Sequence, residues 1–158
     1  MSKLKFNLAA MLALFALMTP LLSHAEDWTF AAYQKCRIYN QMGNVSLWGT
    51  GLIGKDPFSV IYCPLVKEVA NIAITYVNVA VEKRTSDPNK AVTCILVQTS
   101  ADDDTYTSVT SAYTQVVGKK TLVLTAPTTL YNYSGYAGVL CTLHKDDVIY
   151  GVRYKQVN

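Results

Sequence analysis

Six consecutive residues in the C-terminal third of this sequence carry side chains suited to binding a sugar. The run 131–136 reads Tyr-Asn-Tyr-Ser-Gly-Tyr. Flat tyrosine rings can stack on the apolar faces of a pyranose, and amide and hydroxyl groups can bind its polar edges. The run therefore predicts a glycan-binding surface made of Tyr131, Asn132, Tyr133 and Tyr136, which Tyr106 and Tyr113 would extend. The alternative is that these are ordinary strand tyrosines, with packed rings and hydrated hydroxyl groups.

Two other groups of polar residues were weighed as sites, and neither is predicted to be one. Asp102, Asp103 and Asp104 supply clustered oxygen ligands of the kind that calcium prefers, but the spacing lacks the pattern of a calcium loop, so a solvated turn is favoured. His144 follows an apolar strand beside Lys145, and a general base there would need partners from elsewhere in the chain. No G-x-S-x-G motif is present, and the expectation is a solvated turn residue with no catalytic role, no metal and no cofactor.

Four cysteines, all after residue 25, indicate disulfides rather than redox or zinc chemistry. No C-x-x-C spacing occurs among Cys36, Cys63, Cys94 and Cys141, and four cysteines allow three pairings. Cys94 and Cys141 share the apolar phase of their predicted strands, so both are expected to point into the core. The prediction is therefore Cys94 with Cys141, which leaves Cys36 with Cys63.

The first 25 residues have the layout of a secretory signal peptide. Lys3 and Lys5 precede an apolar run from Leu8 to Met18, and the segment closes on Ser23-His24-Ala25. Cleavage after Ala25 would leave residues 26–158 as a single exported domain, periplasmic or extracellular, with no transmembrane segment. Disulfides are stable in such a compartment.

The charge balance disfavours nucleic acid and anionic membrane as partners. The whole chain has 14 basic and 11 acidic residues. Without Lys3 and Lys5, 12 basic residues face the same 11 acidic ones, a balance of +1. The expected partners are therefore a glycan or other copies of the same chain.

The elements that must position these residues are predicted to be strands. Short apolar or alternating runs, separated by turn residues, indicate an all-β, two-sheet antiparallel β-sandwich that is jelly-roll-like, with about eight strands. The predicted strands are 45–52, 58–63, 72–82, 92–99, 106–117, 121–125, 136–143 and 148–154. The apolar phase changes after Tyr76, since Ile72, Ile74 and Tyr76 share one parity and the valines 77, 79 and 81 share the other, which predicts a bulge or a strand buried on both faces. Residues 28–38 either add a strand or lie as an ordered arm.

The order of these features resembles a group of small exported proteins of proteobacteria and myxobacteria. The resemblance rests on four features in this order: an early cysteine, Cys63-Pro64-Leu65, the run 92–96 around Cys94, and Cys141-Thr142-Leu143 before a closing strand. It implies a disulfide-bonded β-sandwich and no particular activity. His144 stands where a proline often follows in that group, so this turn is expected to differ.

Together these features favour a non-enzymatic exported protein that binds or assembles at the cell surface. The more specific hypothesis is weak carbohydrate binding through exposed tyrosines. The alternatives are a surface or filament subunit joined by strand addition at the Thr/Ser/Tyr-rich strand, and a small secreted hydrolase or inhibitor.

Overall fold

The computed structural model of the chain describes residues 26–65, 73–99, 106–126 and 136–157. They form two antiparallel sheets packed face to face, as the alternating runs predict. Sheet A contains β1 (Glu26–Ala31), β3 (Val45–Trp48), β4 (Gly51–Gly54), β6 (Ala73–Lys83), β9 (Gly118–Thr125) and β11 (Val148–Val157). Sheet B contains β2 (Arg37–Ile38), β5 (Ser59–Leu65), β7 (Val92–Thr99), β8 (Tyr106–Thr114) and β10 (Tyr136–Leu143). Among the described residues α1 (Ala32–Lys35) is the one helix, and no helix there could cross a membrane.

The strand order is that of a jelly roll with additions at one side. Sheet A has the order β3-β4-β11-β6-β9, and sheet B has the order β2-β5-β10-β7-β8. The eight strands from β4 to β11 thus make the two four-stranded halves of a jelly roll. β1 and β4 pair with the same edge of β11, one after the other along its length. β4 pairs with residues 148–149 and β1 pairs with residues 151–156. β8 and β9 are the outermost strands on the opposite side of the sandwich.

The core consists of the inward-facing residues of both sheets. Val77, Val79 and Val81 of β6 face it from sheet A, and Leu96 and Val139 face it from sheet B, all essentially without solvent exposure. Burying a side chain of this size contributes about 1.5–3 kcal/mol, which makes this layer the main source of stability.

The two disulfides are the predicted pairs, Cys36–Cys63 and Cys94–Cys141. Cys94 and Cys141 are direct register partners on β7 and β10, and both are fully buried. Cys36 precedes β2, whose Arg37 pairs with Tyr62 of β5, so it lies opposite Cys63. Both bonds therefore connect neighbouring strands within sheet B and do not link the two sheets.

The change of apolar phase in β6 results from a bulge at Thr75. Tyr76 pairs with Lys155 and Ile74 pairs with Gln156, so Thr75 has no partner on β11. The extra residue turns the strand over locally. As a result, Ile74 and Val77 are both buried although they are three positions apart, which in a regular strand would place them on opposite faces.

Several predicted boundaries are wrong. β5 and β11 continue past the predicted ends at 63 and 154, and three other predictions fail. The run 45–52 is a hairpin, with Trp48 paired to Gly51 across a two-residue loop. Gly49 has φ +59°, and a glycine at the first loop position is typical of a type II′ turn, which closes a hairpin without interrupting the apolar run. The strand predicted for 106–117 ends at Thr114, where the side-chain hydroxyl accepts a hydrogen bond from the Val116 backbone N–H at 3.2 Å. Residues 118–120, which fall between two predicted strands, already belong to β9.

Candidate functional site

An open groove of about 530 Å³ crosses the outer face of sheet A. Its floor is one row of small residues, each from a different strand. Ala31 of β1 pairs with Gly151 of β11, Gly151 pairs with Ala80 of β6, and Ala80 pairs with Thr121 of β9. We call this row the groove floor. A Cβ on Gly151 would lie 2.6 Å from the Phe30 carbonyl oxygen, so glycine is required there for β1 to approach β11.

A bulge in β11 forms one wall. Ile149 pairs with Val81 and Gly151 pairs with Ala80, which leaves Tyr150 as an extra residue. Bulges redirect side chains, and this one places the Tyr150 ring beside the groove floor. The phenol donates a hydrogen bond to the Glu82 carboxylate, and Lys119 Nζ lies 5.1 Å from the centre of the ring.

The same wall continues through Arg84 to Trp48. Arg84 forms two hydrogen bonds to the Glu82 carboxylate, at 3.0 and 3.1 Å, and its guanidinium lies 4.9 Å from the Trp48 ring centre. The hydrogen bonds from Arg84 and Tyr150 lower the pKa of Glu82. The hydrogen bond between Tyr150 and Glu82, together with burial, raises the pKa of Tyr150. Glu82 is therefore ionised and Tyr150 is a neutral hydrogen-bond donor at neutral pH. We call Tyr150, which lines the groove, together with its neighbours Glu82, Arg84 and Lys119 the Tyr150 wall.

Arg153 lines the opposite side of the groove, and Asp27 and Lys155 lie beside it on the same face of the sheet. Arg153 lies between Thr29 of β1 and Asn78 of β6 in the register, and Lys155 is the next outward residue of β11. Arg153 donates to the Asp27 carboxylate at 2.8 Å, and the Tyr76 hydroxyl donates to it at 3.2 Å. The hydrogen bond from Arg153 keeps the pKa of Asp27 below its usual value, despite some desolvation. We call Asp27, Arg153 and Lys155 the Arg153 wall.

One polar atom in the groove lining lacks a partner. Oδ1 of Asn78 is buried and accepts no hydrogen bond from any described residue. A buried acceptor left unsatisfied costs about 1–3 kcal/mol. Rotation of the amide would present this oxygen to a hydroxyl group of a ligand in the groove, which would satisfy it.

The dimensions of the groove suit a short stretch of polymer. Glu82 and Asn78 are four residues apart on β6, so the two walls are about 13 Å apart at the backbone. The floor crosses four strands, a length of about 14 Å at the usual strand spacing. The groove can bind a flat, hydroxyl-rich molecule, because one wall has an aromatic ring, both walls have hydrogen-bonding groups and the floor is smooth.

A second depression, of about 480 Å³, lies beside Gln41, Asn44 and Asp56. Its polar groups already satisfy one another, because the Asn44 amide donates to the Asp56 carboxylate at 2.8 Å. It therefore offers fewer groups to a ligand than the groove on sheet A.

The tyrosine run 131–136, where the sequence predicts a glycan-binding surface, lies mostly outside the described residues. Tyr131, Asn132 and Tyr133 lie outside the described residues, and of Tyr136 only the backbone, at the start of β10, is described. Tyr113 lies on β8 with 66% of its surface exposed, whereas the side chain of Tyr106 is outside the description, as are Asp102, Asp103 and Asp104.

His144 is held more firmly than a solvated turn residue. Its Nδ1 donates to the Pro57 carbonyl at 2.9 Å, and its ring meets Phe58 edge-on with centres 6.4 Å apart. Its backbone N–H donates to the fully buried carboxylate of Asp147. Over the described ranges, no three His, Cys, Asp or Glu side chains come together as metal ligands would.

Sequence reasoning missed the groove because its floor has no sequence motif. Ala31, Ala80, Thr121 and Gly151 are small residues far apart in the chain, and they meet only through the strand order. The one available signal was the alternation of polar residues along β6 and β11, which indicates an exposed face but not its shape.

No family model and no curated protein matches this sequence. Among solved structures, the xylan-binding module CBM15 is similar, with a TM-score of 0.55 and 7% identity over 84% of this chain and 97% of that one. The low-affinity xylan-binding module CBM86 from Roseburia intestinalis gives a TM-score of 0.53 and 11% identity, over 84% of this chain and 96% of that one. At these identities, the likeness is one of fold: this chain has the β-sandwich fold that these carbohydrate-binding modules have.

Proposed function

We propose that this protein is an exported, non-enzymatic module that binds polysaccharide in the groove across sheet A. The observation that carries the proposal is the groove itself, a smooth floor crossing four strands between the Tyr150 wall and the Arg153 wall. The fold shared with two xylan-binding modules supports it, and the two disulfides suit a protein that works outside the cytoplasm.

The binding mode follows from the groove lining. Stacking of a pyranose on the Tyr150 ring would remove apolar surface from water, while Asn78, Thr29 and Thr121 would bind hydroxyl groups. An open groove leaves much of the ligand hydrated, so the affinity is expected to be weak, of the order of micromolar to millimolar.

Affinity electrophoresis tests the proposal. The mature protein is run through gels that contain either neutral arabinoxylan or sodium polygalacturonate, and its retardation gives an affinity for each. Tyr150→Ala should weaken binding about tenfold, which corresponds to about 1.4 kcal/mol, because the stacking ring is lost. Tyr150→Phe keeps the ring and should bind almost as well as the wild type.

Tyr113→Ala is the matched control, since Tyr113 is an exposed tyrosine on sheet B, away from the groove. It should leave the affinity unchanged. If the wild type is retarded by neither polysaccharide, or if Tyr150→Ala binds as well as the wild type, binding in the groove is refuted.

The tyrosine run at 131–136 remains a competing location for the site. Its variant, Tyr131→Ala with Tyr133→Ala, should bind normally if the groove is the site. Loss of binding in this double variant, with Tyr150→Ala unaffected and both variants folded, would move the site to the run.

The position of β8 favours a second candidate function, self-association by strand addition. β8 is an edge strand of sheet B, at the end opposite to β2, and its nine residues, Tyr106–Thr114, include no charged residue and no proline. The other edge on this side, β9, carries Lys119 and Lys120, which are the kind of residues that protect an edge from pairing. A second copy could pair with β8 in antiparallel fashion without any repulsion between charges.

Size-exclusion chromatography with light scattering tests this candidate. A concentration-dependent dimer is expected, and Ser111→Lys, which adds a charge to the exposed edge, should abolish it. Thr125→Lys on β9 is the matched control. A wild type that stays monomeric at all concentrations refutes the candidate without affecting the groove.

A further inference from the structure

We infer that the polysaccharide in the groove is acidic, a polymer of uronic acid residues or one that carries them as side groups. This inference rests on the proposed function, because it names the ligand class of the same site. Three observations carry it: the charge of the two walls, the incomplete pairing of Arg153, and the absence of charged residues from the four long strands of the opposite sheet.

Each wall of the groove has one more cation than it has carboxylates. The Tyr150 wall contains Arg84 and Lys119 with Glu82, and the Arg153 wall contains Arg153 and Lys155 with Asp27. Both carboxylates are ionised, since their hydrogen bonds to arginine lower their pKa values. Neither Lys119 nor Lys155 forms an ion pair within 4.0 Å among the described residues. The groove therefore lies between two faces with net positive charge.

The two arginines differ in how much of their hydrogen-bonding capacity is used. Arg84 is engaged by Glu82 through Nε and Nη2. Arg153 uses only Nη2, toward Asp27, and it lines the groove. A guanidinium has five N–H donors in a planar fork that matches a carboxylate. Arg153 therefore has donors left in the described part of the chain for a carboxylate of the ligand.

Charge is segregated between the two sheets. The strands β5, β7, β8 and β10 of sheet B contain no Lys, Arg, Asp or Glu. The outward-facing cations of the long strands are thus confined to the sheet that has the groove. Such a local excess of positive charge attracts polyanions, although the mature chain as a whole is nearly neutral.

The experiment compares two ligands that differ only in charge. Affinity electrophoresis or calorimetry is performed with sodium polygalacturonate and with the same polymer after full methyl esterification, which removes the charge and keeps the sugar backbone. Methyl esterification should weaken binding about tenfold, because an exposed ion pair is worth up to about fivefold in affinity and a short stretch of polymer makes more than one. Raising the sodium chloride concentration from about 0.1 M to about 1 M should also weaken binding to the free acid, since the screening length falls from about 10 Å to about 3 Å.

Two groove variants and one control locate the effect. Arg153→Gln and Lys119→Gln should each reduce the affinity for polygalacturonate about two- to fivefold and reduce the affinity for the methyl ester by a smaller factor, because only the acid loses an ion pair. Lys145→Gln removes a cation from the exposed β10–β11 turn, outside the groove, and should not alter either affinity.

The outcomes separate this inference from the proposed function. Equal affinity for the acid and its ester, with both weakened by Tyr150→Ala, would overturn the acidic ligand and leave glycan binding in the groove intact. An equal effect of Lys145→Gln and Arg153→Gln would also overturn it, since the attraction would then not be local to the groove. Absence of binding to polygalacturonate, its ester and arabinoxylan, with the protein folded, would overturn both.

Discussion

At the residue scale, the ion pair between Arg153 and Asp27 ties the N-terminal strand β1 to β11 and forms part of the groove wall. The hydrogen bond from Arg153 lowers the pKa of Asp27. A carboxylate whose pKa is lowered on folding stabilises the fold above its unfolded pKa of about 3.9, and this contribution is lost as the pH falls through the folded value.

Arg153→Gln should therefore raise the pKa of Asp27 toward its unfolded value. The wild type should be more stable than the Arg153→Gln variant at neutral pH, and the difference should disappear in acid once Asp27 is protonated in both proteins. NMR titration of the Asp27 side chain measures the pKa, and urea unfolding at several pH values measures the difference. An unchanged pKa in the variant would mean that Arg153 does not hold this carboxylate in solution.

A second residue-scale prediction concerns Asp147, whose polar side chain is fully buried. Its carboxylate accepts hydrogen bonds from the backbone N–H groups of Arg84, Thr85 and His144, at 2.8, 3.3 and 3.1 Å. Asp147→Ala would leave these donors without a partner and should cost about 2–4 kcal/mol of unfolding free energy. Lys145→Ala, in the same turn but exposed, is the control for urea denaturation. A loss no greater than that of the control would contradict the role assigned to Asp147.

At the scale of elements, the β3–β4 hairpin depends on the positive φ of Gly49. A Cβ there would meet no atom within 4 Å, so only backbone strain opposes a side chain. Gly49→Val should destabilise the protein by about 1–2 kcal/mol, and Gly49→Asn should cost less, because asparagine tolerates positive φ. Thermal unfolding of the two variants measures the difference, and equal losses would show that strain is not the cause.

The elements also show which features the sequence allows one to predict. β7 and β10 match their predicted ranges, since each is a strongly apolar run ended by turn residues. The bulge at Thr75 could be predicted because it moves Ile74 and Val77 out of phase. The hairpin at Gly49 could not, because a two-residue turn barely interrupts the apolar pattern of residues 45–54. The groove needs the strand order, which no local pattern contains.

At the scale of the whole molecule, the disulfides reinforce one sheet and leave the other to non-covalent packing. Cys94–Cys141 closes a separation of 47 residues and Cys36–Cys63 one of 27, which corresponds to about 4.0 and 3.5 kcal/mol in the chain-entropy model. Replacing Cys94 and Cys141 together by alanine should therefore cost about 2–5 kcal/mol of unfolding free energy. Urea denaturation of the oxidised proteins measures it, and an unchanged midpoint would contradict a structural role for the bond.

The pairing of β1 with β11 has a mechanical consequence. Glu26 is the register partner of Gln156, so a pulling force applied between these two residues would load the hydrogen bonds of the pair one after another, as in a zipper. β1 would peel away at low tension, while the cross-linked strands of sheet B could not be extended in the same way. Because Thr29 and Ala31 of β1 line the groove, a molecule stretched between these points would lose one side of the groove before the sandwich itself came apart.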